Sequence, residues 1–163
     1  MIRKLNLSVE PIWEEIDRVR EASTDFLMEN GCEPEVIDAV TMVACELTEN
    51  AAKYGAFVER KTIEVMVSAG VDTIIVEVKN PVAPGNSDDL VRLDEIIQWI
   101  RGFQDPFEAY MERLKEVSVQ SLESEESGLG LVRIAYEGQA ILDFYVNEED
   151  VLAVSAVHQI GAV

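Results

Sequence analysis

The sequence predicts an α+β fold, a two-layer sandwich in which helices cover one face of a mixed, mainly antiparallel sheet. Three observations predict it. Short runs of alternating apolar residues lie near both ends of the chain, some of these runs are close enough to form hairpins, and segments with helical periodicity separate them. Hairpins require antiparallel pairing, so the sheet is expected to be mixed or antiparallel, with the helices on one face. With 163 residues, the chain is expected to form a single domain over residues 1–163.

The first elements are a short strand and two helices. Residues 3–9 alternate between apolar and polar side chains, as a half-buried strand does. Pro11 then opens a helix, where its missing N–H costs nothing, and Gly31 is a natural stop for that helix. A second helix is expected to start near Pro34 and to continue to about Tyr54, with an apolar stripe along one side.

Two hairpins form the rest of the predicted sheet. Residues 63–67 and 74–78 alternate and are joined by a short link that contains glycine. Residues 140–146 and 151–157 repeat this arrangement near the C-terminus, and a short helix at about 130–136 precedes them. The predicted order is therefore β-α-α-β-β, an insertion, and then α-β-β.

The insertion between the hairpins, residues 81–127, is typical of a lid over a site. It contains two amphipathic pieces at about 88–101 and 106–119 and ends in a polar, acidic stretch that is expected to be mobile. Four aromatic residues lie in this insertion: Trp99, Phe103, Phe107 and Tyr110. We expect them to pack the lid helices onto the body, and a partner-binding surface is the alternative.

Charge and composition exclude several classes of protein. The chain has 13 Lys and Arg against 32 Asp and Glu, a net charge of −19, which argues against binding to nucleic acid or to an anionic membrane. No apolar run approaches the roughly 18 residues of a membrane span, and the N-terminus lacks the apolar run of a signal peptide. Two cysteines, Cys32 and Cys45, lack metal-ligand spacing, which predicts packing roles in the cytoplasm.

A polar stripe on the second helix is the first place that can carry chemistry. Glu46, Asn50 and Lys53 share it, next to the apolar stripe of the same helix. A carboxylate can act as a general base, an amide oxygen is a hard ligand that suits Mg²⁺, and an ammonium can meet a phosphate. A solvated polar face is the alternative interpretation.

Two further places combine backbone and side-chain features that suit a ligand. Ser127, Gly128, Leu129 and Gly130 precede a helix, where glycines let N–H groups approach a phosphate and the helix N-terminus adds positive potential. A flexible hinge is the alternative there. Asn80 continues the inward alternation of its strand, so its amide needs a partner such as a ligand base. A strand-ending asparagine before a proline turn is the alternative.

Together these motifs resemble the GHKL ATPase superfamily, which includes histidine kinases, gyrase-type ATPases and anti-sigma factor serine kinases. Glu46-x-x-x-Asn50 is similar to the N-box of that superfamily, and residues 127–131 are similar to its second glycine box. The predicted element order matches nearly the whole chain. Since no extra domain is present in this sequence, it is most similar to the stand-alone anti-sigma factor serine/threonine kinases. The resemblance implies a Bergerat-type ATP-binding fold.

The resemblance also implies roles for individual residues. Asn50 would ligate Mg²⁺, Glu46 would activate the attacking hydroxyl or water, and Lys53 would neutralise phosphate charge. The backbone of Gly128 and Gly130 would cradle the phosphates of ATP. The expected partner is a small protein of the sigma-factor or anti-sigma-antagonist type, and the sequence leaves a homodimer open.

One motif departs from the family pattern. The first glycine box is normally Asp-x-Gly-x-Gly. Here Asn80 replaces the aspartate that accepts the adenine amine and Val82 replaces the first glycine, in a stretch that ends at Gly85. An asparagine oxygen still accepts a hydrogen bond, but without the charge that roughly doubles its strength. Two functions stay open. Glu46 favours a serine/threonine protein kinase, and the altered box favours a nucleotide-binding or partner-binding module without turnover.

A histidine kinase is disfavoured. Such an enzyme needs an acceptor histidine on a dimerisation helix pair, and nothing in the sequence supplies that pair. His158 is the only histidine. Because it lies at the C-terminal edge, we expect it on the surface.

Overall fold

The computed structural model describes residues 2–57, 62–83, 87–119 and 129–160. Its strands and helices follow one another in the predicted order. They are β1 (Arg3–Val9), α1 (Trp13–Glu29), α2 (Pro34–Tyr54), β2 (Ile63–Ala69), β3 (Thr73–Pro81), α3 (Ser87–Arg101), α4 (Pro106–Val119), α5 (Leu129–Tyr136), β4 (Ala140–Val146) and β5 (Val151–Gln159). The predicted α+β class is confirmed.

The five strands form one sheet in the order β1-β2-β3-β5-β4, and each neighbouring pair is antiparallel. Of the two expected arrangements, mixed or antiparallel, the described strands therefore adopt the antiparallel one. The reason lies in the connection from β1 to β2, which contains two helices. An even number of helices returns the chain in the opposite direction, whereas a single crossover helix would give a parallel pair.

The strand register brings several strand ends together at one edge of the fold. Val9, the last residue of β1, pairs with Ile63, the first residue of β2. Lys79 near the end of β3 pairs with Glu64, and Pro81 pairs with Val151 at the start of β5. The ends of β1 and β3 and the starts of β2 and β5 therefore lie side by side. This edge of the sheet positions the candidate site.

The core lies between the sheet and the helices. Along β3, alternate residues from Ile74 to Asn80 are buried, and α1, α2 and α5 contact the strands. Helix α2 begins with Pro34 at its first turn, where proline is well tolerated. Lys53 in its last turn and Glu35 in its first turn both complement the helix dipole. Eight buried residues on α2 form the largest helical contribution to the core: Val40, Thr41, Val43, Ala44, Cys45, Leu47, Thr48 and Ala51.

Helices α3 and α4, which lie in the predicted lid segment, pack onto the body. Ile97 of α3 and Ala109 of α4 are fully buried, and both helices contact α5. The four aromatic residues make ring contacts, Trp99 with Phe103 at 4.8 Å between centroids, and Phe107 and Tyr110 each with Tyr136 at 5.2 Å. Their predicted packing role is confirmed. The acidic end of the lid, residues 120–127, lies outside the described residues, and its mobility stays a prediction.

His158 is buried, and the prediction of a surface histidine is wrong. Its side chain is 6% exposed, and Nδ1 lies 2.7 Å from the carbonyl oxygen of Gly138. The prediction weighed the position of His158 near the end of the chain. The position of His158 follows instead from the alternation of side chains along β5. The strand continues to Gln159 and places Ala156 and His158 on the inner face.

Both cysteines are free thiols. Burial raises the pKa of Cys45 to about 11, so this thiol stays protonated and packs as a small apolar group, as predicted. None of the helices in the described residues is long and apolar enough to cross a membrane.

Candidate functional site

A cavity of about 660 Å³ opens at the edge where β1 and β3 end. Its walls come from the first turn of α1, the C-terminal half of α2, the inner side of β3 and β5, helix α3 and the start of α5. Five of the predicted site residues line it: Glu46, Asn50 and Lys53 from α2, Asn80 from β3 and Gly130 from α5. The polar stripe of α2 is therefore one wall of this cavity.

Helix periodicity explains why the α2 residues share that wall. Glu46, Asn50 and Lys53 stand four and three positions apart, so they follow one side of the helix. Leu47 and Ala51, on the adjoining side, are buried and hold the stripe against the core. The stripe thus lies at the boundary between the core and the cavity. The Lys53 ammonium lies 5.4 Å from the centre of the Tyr54 ring, and both residues line the cavity.

Glu46 is paired with an arginine from a distant part of the chain. Arg133 of α5 donates from Nη1 to Glu46 Oε1 at 2.9 Å, and its Nε donates to Glu137 Oε2 at 3.0 Å. Burial raises the pKa of Glu46 above its usual value, and the nearby Glu49 carboxylate raises it further, whereas Arg133 lowers it. The net shift is upward, which makes the carboxylate a stronger proton acceptor than an ordinary glutamate.

Gly130 allows α5 to begin directly against this carboxylate. A Cβ atom at position 130 would lie 2.7 Å from Glu46 Oε2, closer than real Cβ contacts. The glycine is the second residue of α5, and Leu129 is the first. The other predicted members of the glycine boxes, Gly85, Ser127 and Gly128, lie outside the described residues, and their roles stay predictions.

Asn80 is held at the other end of the cavity. Its side chain is 3% exposed, and Nδ2 donates to the carbonyl oxygen of Pro81 at 3.1 Å. The same carbonyl accepts from the N–H of Ala56 at 2.8 Å, and the N–H of Val82 donates to Asp150 at 2.9 Å. The segment after β3 is thus fixed both to the chain that follows α2 and to the β4–β5 turn. With its nitrogen engaged, the amide offers its oxygen as an acceptor.

The cavity has two chemically different ends, and helix α2 runs along the wall between them. Glu46 and Tyr54 are eight residues apart, a distance of about 12 Å along a helix axis. Gly130 and Arg133 lie at the Glu46 end. Asn80 lies at the Tyr54 end, because Pro81 is bonded to Ala56, two residues beyond α2. The Glu46 end therefore combines a carboxylate–arginine pair with a helix start. The Tyr54 end presents a buried amide and, beside Tyr54, the Lys53 ammonium.

The described residues contain no group of three or more His, Cys, Asp or Glu side chains that could hold a metal ion by themselves. A divalent cation in this cavity would therefore take part of its coordination from a bound ligand and from water. Asn50 offers the kind of neutral oxygen that Mg²⁺ accepts, beside the carboxylates of Glu46 and Glu49 that also line the cavity.

Neither a protein-family model nor a curated protein sequence matches this chain. Solved structures do. One of them is a chain in the crystal structure of the SiaB–SiaC complex from Pseudomonas aeruginosa, with 23% identity and a TM-score of 0.70 over 94% of this chain and 88% of that chain. Similarity at this level of identity shows a shared fold. The two-layer α+β architecture thus agrees with a solved structure over almost its whole length.

Several residues of the site were not among those predicted from the sequence, including Glu49 and Tyr54 of α2. Trp13 and Arg92 line the cavity, and Arg133 holds Glu46. Arg133 could have been found, because it follows Gly130 by three positions and so shares its side of α5. The positions of Trp13 and Arg92 depend on how α1 and α3 pack beside α2, and no local sequence motif predicts that packing.

Proposed function

We propose that this protein binds Mg–ATP in the cavity and regulates a partner protein by phosphorylating it on serine or threonine. One observation carries the proposal: residues from α2, β3 and α5 meet in a single cavity whose two ends have different chemistry. Glu46 and Gly130 suit the phosphate end of a nucleotide, and Asn80 suits its base. Glu46 and Tyr54, which mark the two ends, lie about 12 Å apart along α2, so base and phosphates would occupy different parts of the cavity.

The residues present fit a magnesium ion that arrives with the nucleotide. Mg²⁺ prefers oxygen ligands, keeps several waters and usually takes one or two protein ligands together with substrate phosphates. Asn50 would be its protein ligand. Lys53 follows Asn50 by three positions toward the Tyr54 end, so only its long side chain would extend to the phosphates. When bound, the ion would neutralise charge on the phosphates. This matters here because Glu46 and Glu49 line the same cavity.

Glu46 is the proposed proton acceptor in phosphoryl transfer. The partner's hydroxyl oxygen forms a bond to the γ-phosphorus, the bond from that phosphorus to the β–γ bridging oxygen breaks, ADP leaves, and the hydroxyl proton passes to Glu46. The raised pKa of this carboxyl suits proton acceptance, and Arg133 fixes its orientation through the 2.9 Å bond. A base in this position contributes roughly 10²–10⁴ in rate.

A protein partner is part of the proposal for two reasons. The neighbouring solved fold belongs to a complex of two proteins, and the sequence motifs resemble anti-sigma factor kinases, whose partners are sigma factors or anti-sigma antagonists. The net charge of −19 favours a partner with a basic surface, since opposite charges accelerate association.

A second candidate is a nucleotide-binding or partner-binding module without turnover. Asn80 and Val82 in place of the usual aspartate and glycine favour it, because an uncharged acceptor binds the base amine more weakly. Under this alternative, nucleotide occupancy would control partner binding, and Glu46 would have only its structural pairing with Arg133.

Thermal unfolding with Mg–ADP tests nucleotide binding. A ligand at 100 times its Kd stabilises the folded state by about 2.7 kcal/mol, so the midpoint should rise with the logarithm of ligand concentration. Asn50→Ala should remove most of the rise. Asn6→Ala, an exposed asparagine on β1, is the matched control and should keep it. An equal rise in wild type and Asn50→Ala would exclude Asn50 as the anchor of the metal.

Turnover separates the two candidates. ATP hydrolysis or phosphate transfer by wild type, lowered at least tenfold in Glu46→Gln with Mg–ADP binding retained, supports the kinase. Mg–ADP binding without turnover, in the presence of an identified partner, supports the binding module.

A further inference from the structure

The first turn of α1 presents a tryptophan to the cavity that the proposed chemistry does not use. Trp13 lines the cavity with Ile16, three positions later on the same side of α1. Ile16 is buried, whereas the Trp13 side chain is 75% exposed. A large aromatic ring at the rim of a cavity, with most of its surface in water, is positioned to cover a ligand.

The strand register places Trp13 near the Asn80 end of the cavity. Trp13 follows the end of β1 by four residues, and β1 ends at Val9 opposite the start of β2. The end of β3 lies one strand further along the same edge, about 10 Å from β1 for a spacing of roughly 4.8 Å between strands. Glu46 and Gly130 belong to the other end. Trp13 therefore faces the region assigned to the base.

The start of α1 is also held firmly enough to present the ring. Arg18 donates from Nη1 to the carbonyl oxygen of Ser8 at 3.2 Å and to Glu15 at 2.9 Å, which ties the second turn of α1 to β1. The N–H of Glu15 donates to the carbonyl oxygen of Ile12 at 3.1 Å and closes the first turn. These bonds connect the first two turns of α1 to β1, so the backbone that carries Trp13 is joined to the sheet edge where the cavity opens.

We infer that Trp13 stacks on the base of the bound nucleotide and that this contact compensates for the uncharged acceptor Asn80. The inference rests on the proposed function and names the way in which that site recognises a base. Stacking on an aromatic ring accepts any base, because every base has a π-face. Binding should therefore depend on the presence of a base more than on its identity.

Three ligands distinguish this inference from the proposed function: Mg–ADP, Mg–GDP and Mg–tripolyphosphate, which has no base. Calorimetric titration of Trp13→Ala should show about tenfold weaker binding of both nucleotides, and unchanged binding of tripolyphosphate. Trp13→Phe keeps a ring and should lose less. Met28→Ala, at the other end of α1 and 62% exposed, is the matched control and should bind all three ligands as wild type does.

Fluorescence gives a second test that does not rely on affinity. The chain has two tryptophans, so Trp99→Phe leaves Trp13 as the only one. Its emission should change with Mg–ADP and stay constant with Mg–tripolyphosphate. Unchanged Mg–ADP affinity in Trp13→Ala, or an equal loss for Mg–ADP and tripolyphosphate, would overturn the inference. Loss of partner binding alone in that variant would overturn it too, and would assign Trp13 to protein docking. Failure of wild type to bind any of the three ligands would instead refute the proposed function.

Discussion

Glu46→Gln gives the sharpest test of the electrostatics of the site, because it keeps the shape of the side chain and removes its charge. In the folded protein, burial and Glu49 raise the pKa of Glu46, and the opposing effect of Arg133 is smaller. The folded state therefore holds the proton more tightly than the unfolded chain does. This stabilising contribution is complete below the unfolded pKa, about 4.3, and is lost as pH rises through the folded pKa.

The glutamine variant does not titrate in this range. Its free energy of unfolding, relative to wild type, should therefore increase as pH rises from the unfolded pKa through the higher folded pKa. The increase amounts to about 1.4 kcal/mol for each pH unit that separates the folded and unfolded pKa values. Loss of the ion pair leaves no orphaned charge, because Arg133 keeps its contact with Glu137 at 3.0 Å and is itself partly exposed.

Urea unfolding midpoints across this pH range, at constant ionic strength, measure the effect. Glu137→Gln is the comparison variant. It removes the other carboxylate on Arg133 and with it the smallest of the contributions that raise the pKa of Glu46. Its difference from wild type should vary less with pH. If instead wild type gains stability over Glu46→Gln as pH rises, then Arg133 outweighs burial and the carboxyl is a weaker base than the mechanism requires.

Three further predictions concern Gly130, the Mg²⁺ ion and His158. Gly130→Ala should change the free energy of unfolding by less than about 1 kcal/mol, because alanine favours the helix while its Cβ displaces the Glu46 carboxylate. Turnover of this variant should fall at least tenfold. Adding Glu46→Gln to it should cause little further loss of turnover. Removal of Mg²⁺ with EDTA should weaken ADP binding at least tenfold in calorimetry, since Glu46 and Glu49 repel unshielded phosphates. Equal ADP binding with and without the ion would contradict the assignment of Asn50 as a metal ligand. His158→Ala should lower the free energy of unfolding by about 2–4 kcal/mol, because it leaves a cavity and an unpaired Gly138 carbonyl. Gln159→Ala is the exposed control, and its free energy of unfolding should stay within about 0.5 kcal/mol of wild type.

Most of the fold could be predicted from local sequence patterns. Alternation in β3 identified the strand and its buried side, and the periodicity of α2 identified both its core face and the polar stripe at its edge. Those patterns are strong because each element buries only one side. His158 was misplaced because position in the chain was weighed above the alternation of β5, which buries it.

The site was predicted only where one motif carries several residues. Glu46, Asn50 and Lys53 are close in sequence, so helix geometry alone brings them together. The pairing of Glu46 with Arg133 joins residues 87 positions apart, and it depends on how α5 packs on α2. Trp13 reaches the cavity through the placement of α1 beside the sheet. Contacts of this kind are set by tertiary packing, which periodicity does not encode.

A crystal structure of the protein with Mg–ADP tests the central claim most directly. The account predicts the base beside the Asn80 amide, the ion on the Asn50 side-chain oxygen and the β-phosphate toward Glu46 and the start of α5. A base bound at the Glu46 end, or a nucleotide bound at saturating Mg–ADP outside the cavity of about 660 Å³, would contradict it.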